Sequence, residues 1–335
     1  MGARNGQKLK LLYLIEILKS ETDEDHPLSA TEICDRLNAK GITAERKAIY
    51  DDVQKLIDFG YDIIKTRIPK SGFFLASREF EIPEIYLLTD AVRTAKFISP
   101  KKTRELVSKL DGMLSHYQAK KREKGIYVDN SGKCANEEIY YTIDAIGNAI
   151  QNRKKISLNY GTRSLNANRE IVTEYKKRIV SPYAMTWQDD HYYLICNYEK
   201  YENLMHLRID RMKAVNVLEE NIRPFTQVSE YVDCFDVADY TQKLFGMYVG
   251  DQADVVLKCS KKVIEQIADR FSKDIFIRNV TDTHFTITVK AAVSDALVTW
   301  IMNYGDNIEV LSPDNLKEMI VERANNIIEL YTKNE

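Results

Sequence analysis

Residues 177–198 of the chain read K-R-I-V-S-P-Y-A-M-T-W-Q-D-D-H-Y-Y-L-I-C-N-Y. Apolar and polar side chains alternate on both sides of Asp189-Asp190, a polar pair suited to a hairpin turn. The same period of two recurs in I-S-L-N-Y at 156–160, L-M-H-L-R-I-D at 204–210 and A-V-N-V-L at 214–218. Five short strands between polar turns predict a small β-barrel. A helix over 139–150, carrying Ile143, Ile146 and Ile150, is expected before it. After it residues 214–254 hold eight Asp/Glu against two Lys/Arg, which reads as an acidic linker.

Upstream the pattern is helical. Lys8 to Ser20 places Leu11, Leu12, Ile15 and Leu18 on one stripe. His26-Pro27-Leu28 breaks the chain, and Ser29 with Glu32 forms a capping box for a second helix carrying Ile33 and Leu37. Thr43 is expected to open a third helix, ended by Gly60, with Ile49, Val53, Leu56 and Ile57 as its apolar face. Tyr61–Ile68 and Phe73–Leu75, joined by Pro69-Lys70-Ser71-Gly72, read as a hairpin. Three helices and a hairpin, with the short glycine-containing turn 38–42 between the second and third helices, predict a winged helix-turn-helix. Its third helix would enter a major groove with its N-terminal half. The outward residues there are Thr43, Glu45, Arg46, Lys47 and Tyr50, with Lys65, Arg67, Lys70 and Ser71 on the wing. Arg46 and Lys47 suit guanine or phosphate, and Tyr50 a phosphate or sugar. The competing reading is a three-helix interaction module that touches no DNA.

From Ile82 to about Lys124 two amphipathic helical stretches are expected, one with Leu87, Leu88, Ala91, Val92 and Ala95, the other with Leu106, Leu110, Met113 and Leu114. Residues 99–124 carry eight Lys/Arg against three Asp/Glu, ending in A-K-K-R-E-K-G; a solvated helix end explains that run better than phosphate attraction. Downstream of the barrel the order β-α-β-β-α-β-α over the last 90 residues resembles a split β-α-β, ferredoxin-like sheet with an added helix. The fold class is therefore multi-domain α+β. The expected domains are 1–78 (winged helix), 79–138 (helical linker and dimerisation), 139–222 (barrel) and 245–335 (C-terminal β/α domain).

Lys+Arg at 48 against Asp+Glu at 50 excludes a wholly basic nucleic-acid binder, though not a basic face on one domain. Cys34, Cys134, Cys196, Cys234 and Cys259 form no C-x-x-C pair, and an odd count suits no disulfide framework, so inert thiols in a reducing cytoplasm are expected. The first ten residues lack a signal-peptide core, and no apolar run nears the roughly 20 residues of a membrane helix. No phosphate loop, dinucleotide fingerprint, nucleophile elbow or H-E-x-x-H zinc motif occurs. The five histidines lack metal-ligand spacing, and His191 and Cys196 fall on opposite faces of a strand. The reading is no enzyme, no catalytic residue, no metal and no cofactor.

Two resemblances sharpen this. A-E-R-K-A-I-Y-D-D-V-Q-K-L-I-D-F-G-Y-D-I at 44–63, followed by K-S-G-F-F-L at 70–75, resembles the recognition helix and wing of bacterial regulators of the DeoR/YafY type. Asp51-Asp52 stands where that family often has Arg-Asp, and Asp51 is read as a solvated helix residue. Residues 177–198 followed by H-L-R-I-D-R-M-K-A-V resemble the core of a WYL domain, the eponymous triad being Tyr192-Tyr193-Leu194 and the Arg-x-Asp-Arg element Arg208, Asp210 and Arg211. L-F-G-M-Y-V-G, D-R-F, V-T-W and L-S-P resemble the C-terminal extension of such regulators. The resemblance implies an Sm/SH3-like barrel that binds a nucleotide or a single-stranded nucleic-acid fragment. The modest basic surplus of the winged helix calls for two copies, so a homodimer on an inverted-repeat duplex operator is expected, with repression favoured over activation because a dimer on an operator can block polymerase without a further contact surface. The alternative function is a nucleic-acid-binding accessory or interaction module without sequence-specific DNA reading.

Residues 150–180 hold eight Lys/Arg against two Asp/Glu, so the barrel itself suits an anion. Arg178, Arg208 and Arg211 are expected on strands, with Pro182 as a break after Arg178. Strand alternation puts Arg208 and Arg211 on opposite faces, so one faces the ligand while the other pairs with Asp210 or a neighbouring carboxylate; Arg208 is favoured for the ligand, with His206 beside it. Tyr160, Tyr183 and His191 offer stacking or hydrogen bonding to a base or ribose, Tyr193 lies at the core or the rim, and Leu194 is core.

Overall fold

A computed structural model describes residues 3–123, 133–134, 136–271 and 275–332. Lys124 and Gly125, which end the basic run, lie outside the described residues. The chain divides into two compact units, Met1–Glu137 and Glu138–Glu335.

The first unit begins with α1 (Ala3–Glu21), α2 (Ala30–Ala39), α3 (Arg46–Phe59) and the antiparallel hairpin β1 (Ile63–Thr66) and β2 (Gly72–Leu75). The Ser29–Glu32 capping box starts α2, and Gly60 ends α3 with φ +117°. Leu28 bridges to Phe73 by two backbone hydrogen bonds of 2.9 and 2.7 Å, so the hairpin gains a third backbone neighbour. That approach requires Gly72, where a Cβ would stand 2.7 Å from the Leu28 backbone. Leu14, Ile17, Leu18, Ile33, Leu37, Ile49, Val53 and Phe73 form the core.

Three local expectations change. Leu12 is 63% exposed; the buried stripe of α1 is Leu14, Ile15, Ile17 and Leu18. The third helix opens at Arg46, not Thr43, because Ile42 is drawn into the core by an N–H bond to the Leu37 carbonyl, and Glu45 is extended as N-cap. On α3 the fourth inward position is Asp52, whose carboxylate meets the buried Lys10 ammonium at 2.6 Å, while Ile57 is turned outward.

The unit continues with α4 (Ile82–Thr94), α5 (Pro100–Asp111) and α6 (His116–Glu123). α4 buries Ile85 and Thr89 and leaves Leu87 and Leu88 exposed, so its inward face is rotated from the one expected. Asp23 and Ser115 bond at 2.5 Å and Lys121 pairs with Asp25, tying α6 to the segment after α1.

The second unit starts with α7 (Ile139–Gln151), β3 (Lys154–Leu165), β4 (Ile171–Gln188), β5 (His191–Asn197), β6 (Met205–Arg208) and β7 (Met212–Asn221). The strands form one antiparallel sheet in the order β6-β5-β4-β3-β7. Pro182 does not break β4. The strand runs 18 residues, pairing with β3 up to Val180 and with β5 from Ser181, and the register slips between Pro182 and Ala184. A bulge accommodates the missing N–H and lets one strand serve both halves of the sheet. Asp189 and Asp190 are both left-handed, with φ of +48° and +60°, as a two-residue hairpin turn demands. A 3-10 turn, Ile209–Arg211, joins β6 to β7. Ile146, Ile156, Leu158, Val180, Leu194, Leu207 and Met212 are buried.

The stretch read as an acidic linker is packed instead. Val228, Tyr240, Leu244 and Met247 are buried with Tyr183, Ile195 and Leu204, and α8 (Val237–Gln242) lies within it. Then come β8 (Asp251–Ser260), α9 (Ile264–Phe271), the two-residue β9 (Ile277–Arg278), β10 (His284–Val293), α10 (Asp295–Met302), β11 (Ile308–Ser312) and α11 (Asp314–Thr332). Their sheet is antiparallel in the order β11-β8-β10-β9. Its core holds Val255, Leu257, Ile267, Ile287, Leu297, Val298 and Leu316.

Among the described residues no helix is long and apolar enough to cross a membrane, and no group of three His, Cys, Asp or Glu is placed to hold a metal. Cys34, Cys196 and Cys259 are buried, and burial pushes the last two thiols up to about 12. Cys134 is half-buried and Cys234 is exposed.

Candidate functional site

In the first unit the residues expected to meet DNA share the surface of α3 and the hairpin. Thr43 lies just before α3, and Arg46, Lys47 and Tyr50 occupy its first two turns; all four are exposed. Lys65 and Arg67 are exposed on and beyond β1, and the Lys65 ammonium stands 5.0 Å over the Tyr50 ring. Tyr50 in turn packs edge-on against Phe73 at 5.5 Å. This stack fixes the phenol and leaves Arg46 and Lys47 as the extended cations of the helix. Lys70 is differently placed: its ammonium pairs with Glu32 at 2.6 Å. That hydrogen bond, with the Ser29 contacts of the capping box, holds the Glu32 carboxyl down at about 2 against the cost of burial.

In the second unit five of the expected ligand residues converge where β3, β4, β5 and the 3-10 turn meet. The Arg178 guanidinium lies 4.8 Å over the Tyr160 ring. The Tyr160 hydroxyl accepts from the Arg208 backbone N–H at 3.2 Å. Tyr193 stands opposite Arg208 in the β5–β6 register, and burial raises its phenol. His191 meets Tyr193 edge-on at 6.3 Å, one strand repeat away. Arg208 donates from Nε and Nη2 to both Asp210 oxygens, at 3.0 and 2.7 Å. Burial opposes the Arg208 charge, but the Asp210 carboxylate more than offsets it and the net shift is upward.

Arg208, expected to face a ligand, is the one that takes Asp210. Arg211 leaves the strand altogether and sits on the 3-10 turn, so strand alternation does not apply to it; its Nε is buried without a hydrogen-bond partner. A buried guanidinium N–H without an acceptor is costly.

Two expected residues are withdrawn from the cluster. His206 has both ring nitrogens engaged: Nδ1–H donates to the Met247 carbonyl at 2.7 Å and Nε2 accepts from the Tyr240 hydroxyl at 3.0 Å. Burial lowers it to about 4, so the ring is neutral near pH 7 and pins the chain after α8 onto β6. Tyr183 donates to the Arg223 carbonyl at 2.8 Å and is buried with Phe235 and Tyr240, its phenol raised to about 12 by burial. Both sit on the sheet face that the following chain covers. The sequence carried no sign of this, because the covering segment is acidic and reads as solvated.

Two features escaped the sequence reading. The Lys10–Asp52 pair spans more than forty residues and has no local signal. Tyr175 is exposed beneath the Lys213 ammonium, 4.7 Å from its ring, on a stretch of β4 that no motif marks.

Two family models match segments of the second unit. The WYL domain matches residues 141–217 and the WCX domain residues 251–328. No curated protein matches the chain. Among solved structures the chain is similar to proteasome accessory factor B/C (PafBC) of Arthrobacter aurescens, with 17% identity, 93% of this chain and 47% of that one covered, and a TM-score of 0.28. The chain thus spans about half the length of that structure. The two domain matches, in this order, identify the chain as a WYL-domain protein with a WCX extension, as residues 177–198 led one to expect.

Proposed function

We propose that the protein is a DNA-binding transcription regulator of the cytoplasm, without catalytic activity or cofactor. In this reading α1 to β2 form a winged helix that reads a duplex operator. The five-stranded sheet is an Sm/SH3-like barrel that senses a nucleotide or single-stranded nucleic-acid fragment, and the last sheet is ferredoxin-like. One observation carries it: a WYL–WCX pair follows a three-helix-and-hairpin unit that presents Arg46, Lys47 and Tyr50 to solvent from one helix. The barrel reading is supported by the strand order, in which the last strand returns beside the first through a 3-10 turn. The protein acts as a homodimer on an inverted repeat, which doubles a modest basic surface, and it represses by occupying the operator.

The ligand meets Tyr160, Arg178, Tyr193 and His191, with Arg211 as the anion donor and Arg208 as its paired neighbour. It regulates only through a difference in affinity for the DNA-competent and DNA-incompetent forms. Fluorescence anisotropy with a duplex from the upstream region and a scrambled duplex, at physiological salt, tests the proposal. Selective binding that shifts when short single-stranded oligonucleotides are added is the expected result. Single-strand preference without duplex selectivity would establish the accessory module instead. Arg46→Ala with Lys47→Ala is expected to weaken operator binding by about tenfold or more, since each lost base or phosphate contact costs roughly 1–3 kcal/mol. Arg211→Ala or Arg208→Ala is expected to remove the oligonucleotide response and leave duplex binding intact.

A further inference from the structure

The sequence pieces L-F-G-M-Y-V-G, D-R-F and V-T-W take no part in the site just described, yet they meet at one place. Phe245, Arg270, Thr299 and Trp300 line a cleft of about 620 Å³ that the Asp189 turn of the β4–β5 hairpin closes from the other side. The volume is in the range of small-molecule sites. Its wall is aromatic: Phe245 and Trp300 lie 5.3 Å apart, and Trp300 packs on Tyr304 at 5.1 Å.

Arg270 is the charged centre. Its guanidinium lies 4.1 Å over the Phe245 ring, and Nη2 donates to the Leu244 carbonyl at 2.5 Å. Burial disfavours its charge, and Asp189 favours it without coming into ion-pair contact. One edge of the guanidinium is thus spent on the backbone and one face on a ring, which leaves the remaining N–H groups for the cleft. The second cation, Arg323, is already paired with Asp295 at 2.6 Å. Asp189 is held at the cleft by left-handed backbone, a conformation that costs energy in a residue other than glycine.

We propose that this cleft binds a flat aromatic molecule that carries one carboxylate or phosphate and one ring-borne N–H or O–H donor. The anion meets Arg270, the ring lies along Trp300, and the donor reaches Asp189. None of the residues that line the cleft belongs to the cluster around Tyr160 and Arg211, and a small molecule there would bridge the hairpin and the WCX helices. A nucleotide and a hydroxylated aromatic acid both carry this chemistry, and the test distinguishes them.

Isothermal titration calorimetry of the full chain, without DNA, uses four probes: GMP, 3-hydroxybenzoate, ribose 5-phosphate and inorganic phosphate. Saturable binding of GMP identifies a nucleotide site, and saturable binding of 3-hydroxybenzoate an aromatic-acid site. The two ringless probes are expected to bind at least about tenfold more weakly, having lost the stacking contact. Asp189→Asn keeps a residue that tolerates the turn, and it should weaken the bound probe about tenfold through loss of a charged acceptor. Thr299→Phe fills the cleft from the exposed side of α10 and should abolish binding with an unchanged melting temperature. The proposal is overturned if neither aromatic probe binds, if the ringless probes bind equally well, or if Thr299→Phe binds like the parent. Duplex selectivity in the anisotropy experiment is read independently, so failure here leaves the regulator reading standing, and the converse also holds.

Discussion

At position 52 a carboxylate with its side chain 6% exposed meets an ammonium that is 8% exposed. Removing one partner of such a pair strands the other charge in the core. Asp52→Ala is therefore expected to destabilise the first unit by about 3–5 kcal/mol, measured by denaturant unfolding, and Lys10→Met with Asp52→Leu to recover most of the loss. Leu194 of the Tyr-Tyr-Leu triad is fully buried, and Leu194→Ala should cost about 2–5 kcal/mol in the second unit. His206 gives a pH signature. Burial lowers it from 6.5 to about 4 in the folded protein, so between those values the unfolded chain binds more protons. Its contribution to stability is present above about pH 6.5 and is lost as the pH falls toward 4. The melting temperature of the parent should fall more steeply over that window than that of His206→Gln; equal slopes would show that the ring is not buried neutral.

Among elements, the hairpin at Asp189-Asp190 offers the plainest test, because both residues take the left-handed conformation that glycine adopts freely. Asp190→Gly should raise the melting temperature, by the equivalent of up to about 1 kcal/mol. The turn was legible because polar residues stood between two runs of period two. The element order was legible for the same reason: three helices and a hairpin, five strands, then β-α-β-β-α-β-α all follow from periodicity and caps. What was not legible is instructive. Period two predicts a strand but is silent on register, so the bulge after Pro182 was read as a break. Helical period predicts a stripe but not its phase within a residue or so, hence Leu12 and Leu87 on the outside. In the candidate ligand cluster, Tyr160, Arg178 and Tyr193 were singled out from residue type alone, and the structure brings them together. That Arg208 is the arginine paired with Asp210 was not legible, since a three-residue 3-10 turn cancels the alternation on which the choice rested. The partners that hold His206 and Tyr183 were not legible because they lie 34 to 41 residues downstream.

The whole molecule holds two compact units, and the second contains both matched domains. Residues 138–335 made alone are expected to fold cooperatively, with a single melting transition by circular dichroism; two separated transitions would mean that the WYL and WCX portions are independent. The reason to expect one is the segment between them. Within five residues it accepts from Ala292 N–H at Lys243, from Arg270 at Leu244 and from His206 at Met247. Alternate grips on the two sheets make the segment a splice. The unit of exchange between related chains is then not the domain that a sequence match outlines. A chimaera that swaps residues 141–217 alone would set a foreign sheet against a native splice, with other residues in the places of His206, Tyr183 and Ile195 under the native cover. A graft carried through Gly250 would bring the cover with it, and the mismatch would move to the Leu244–Arg270 contact.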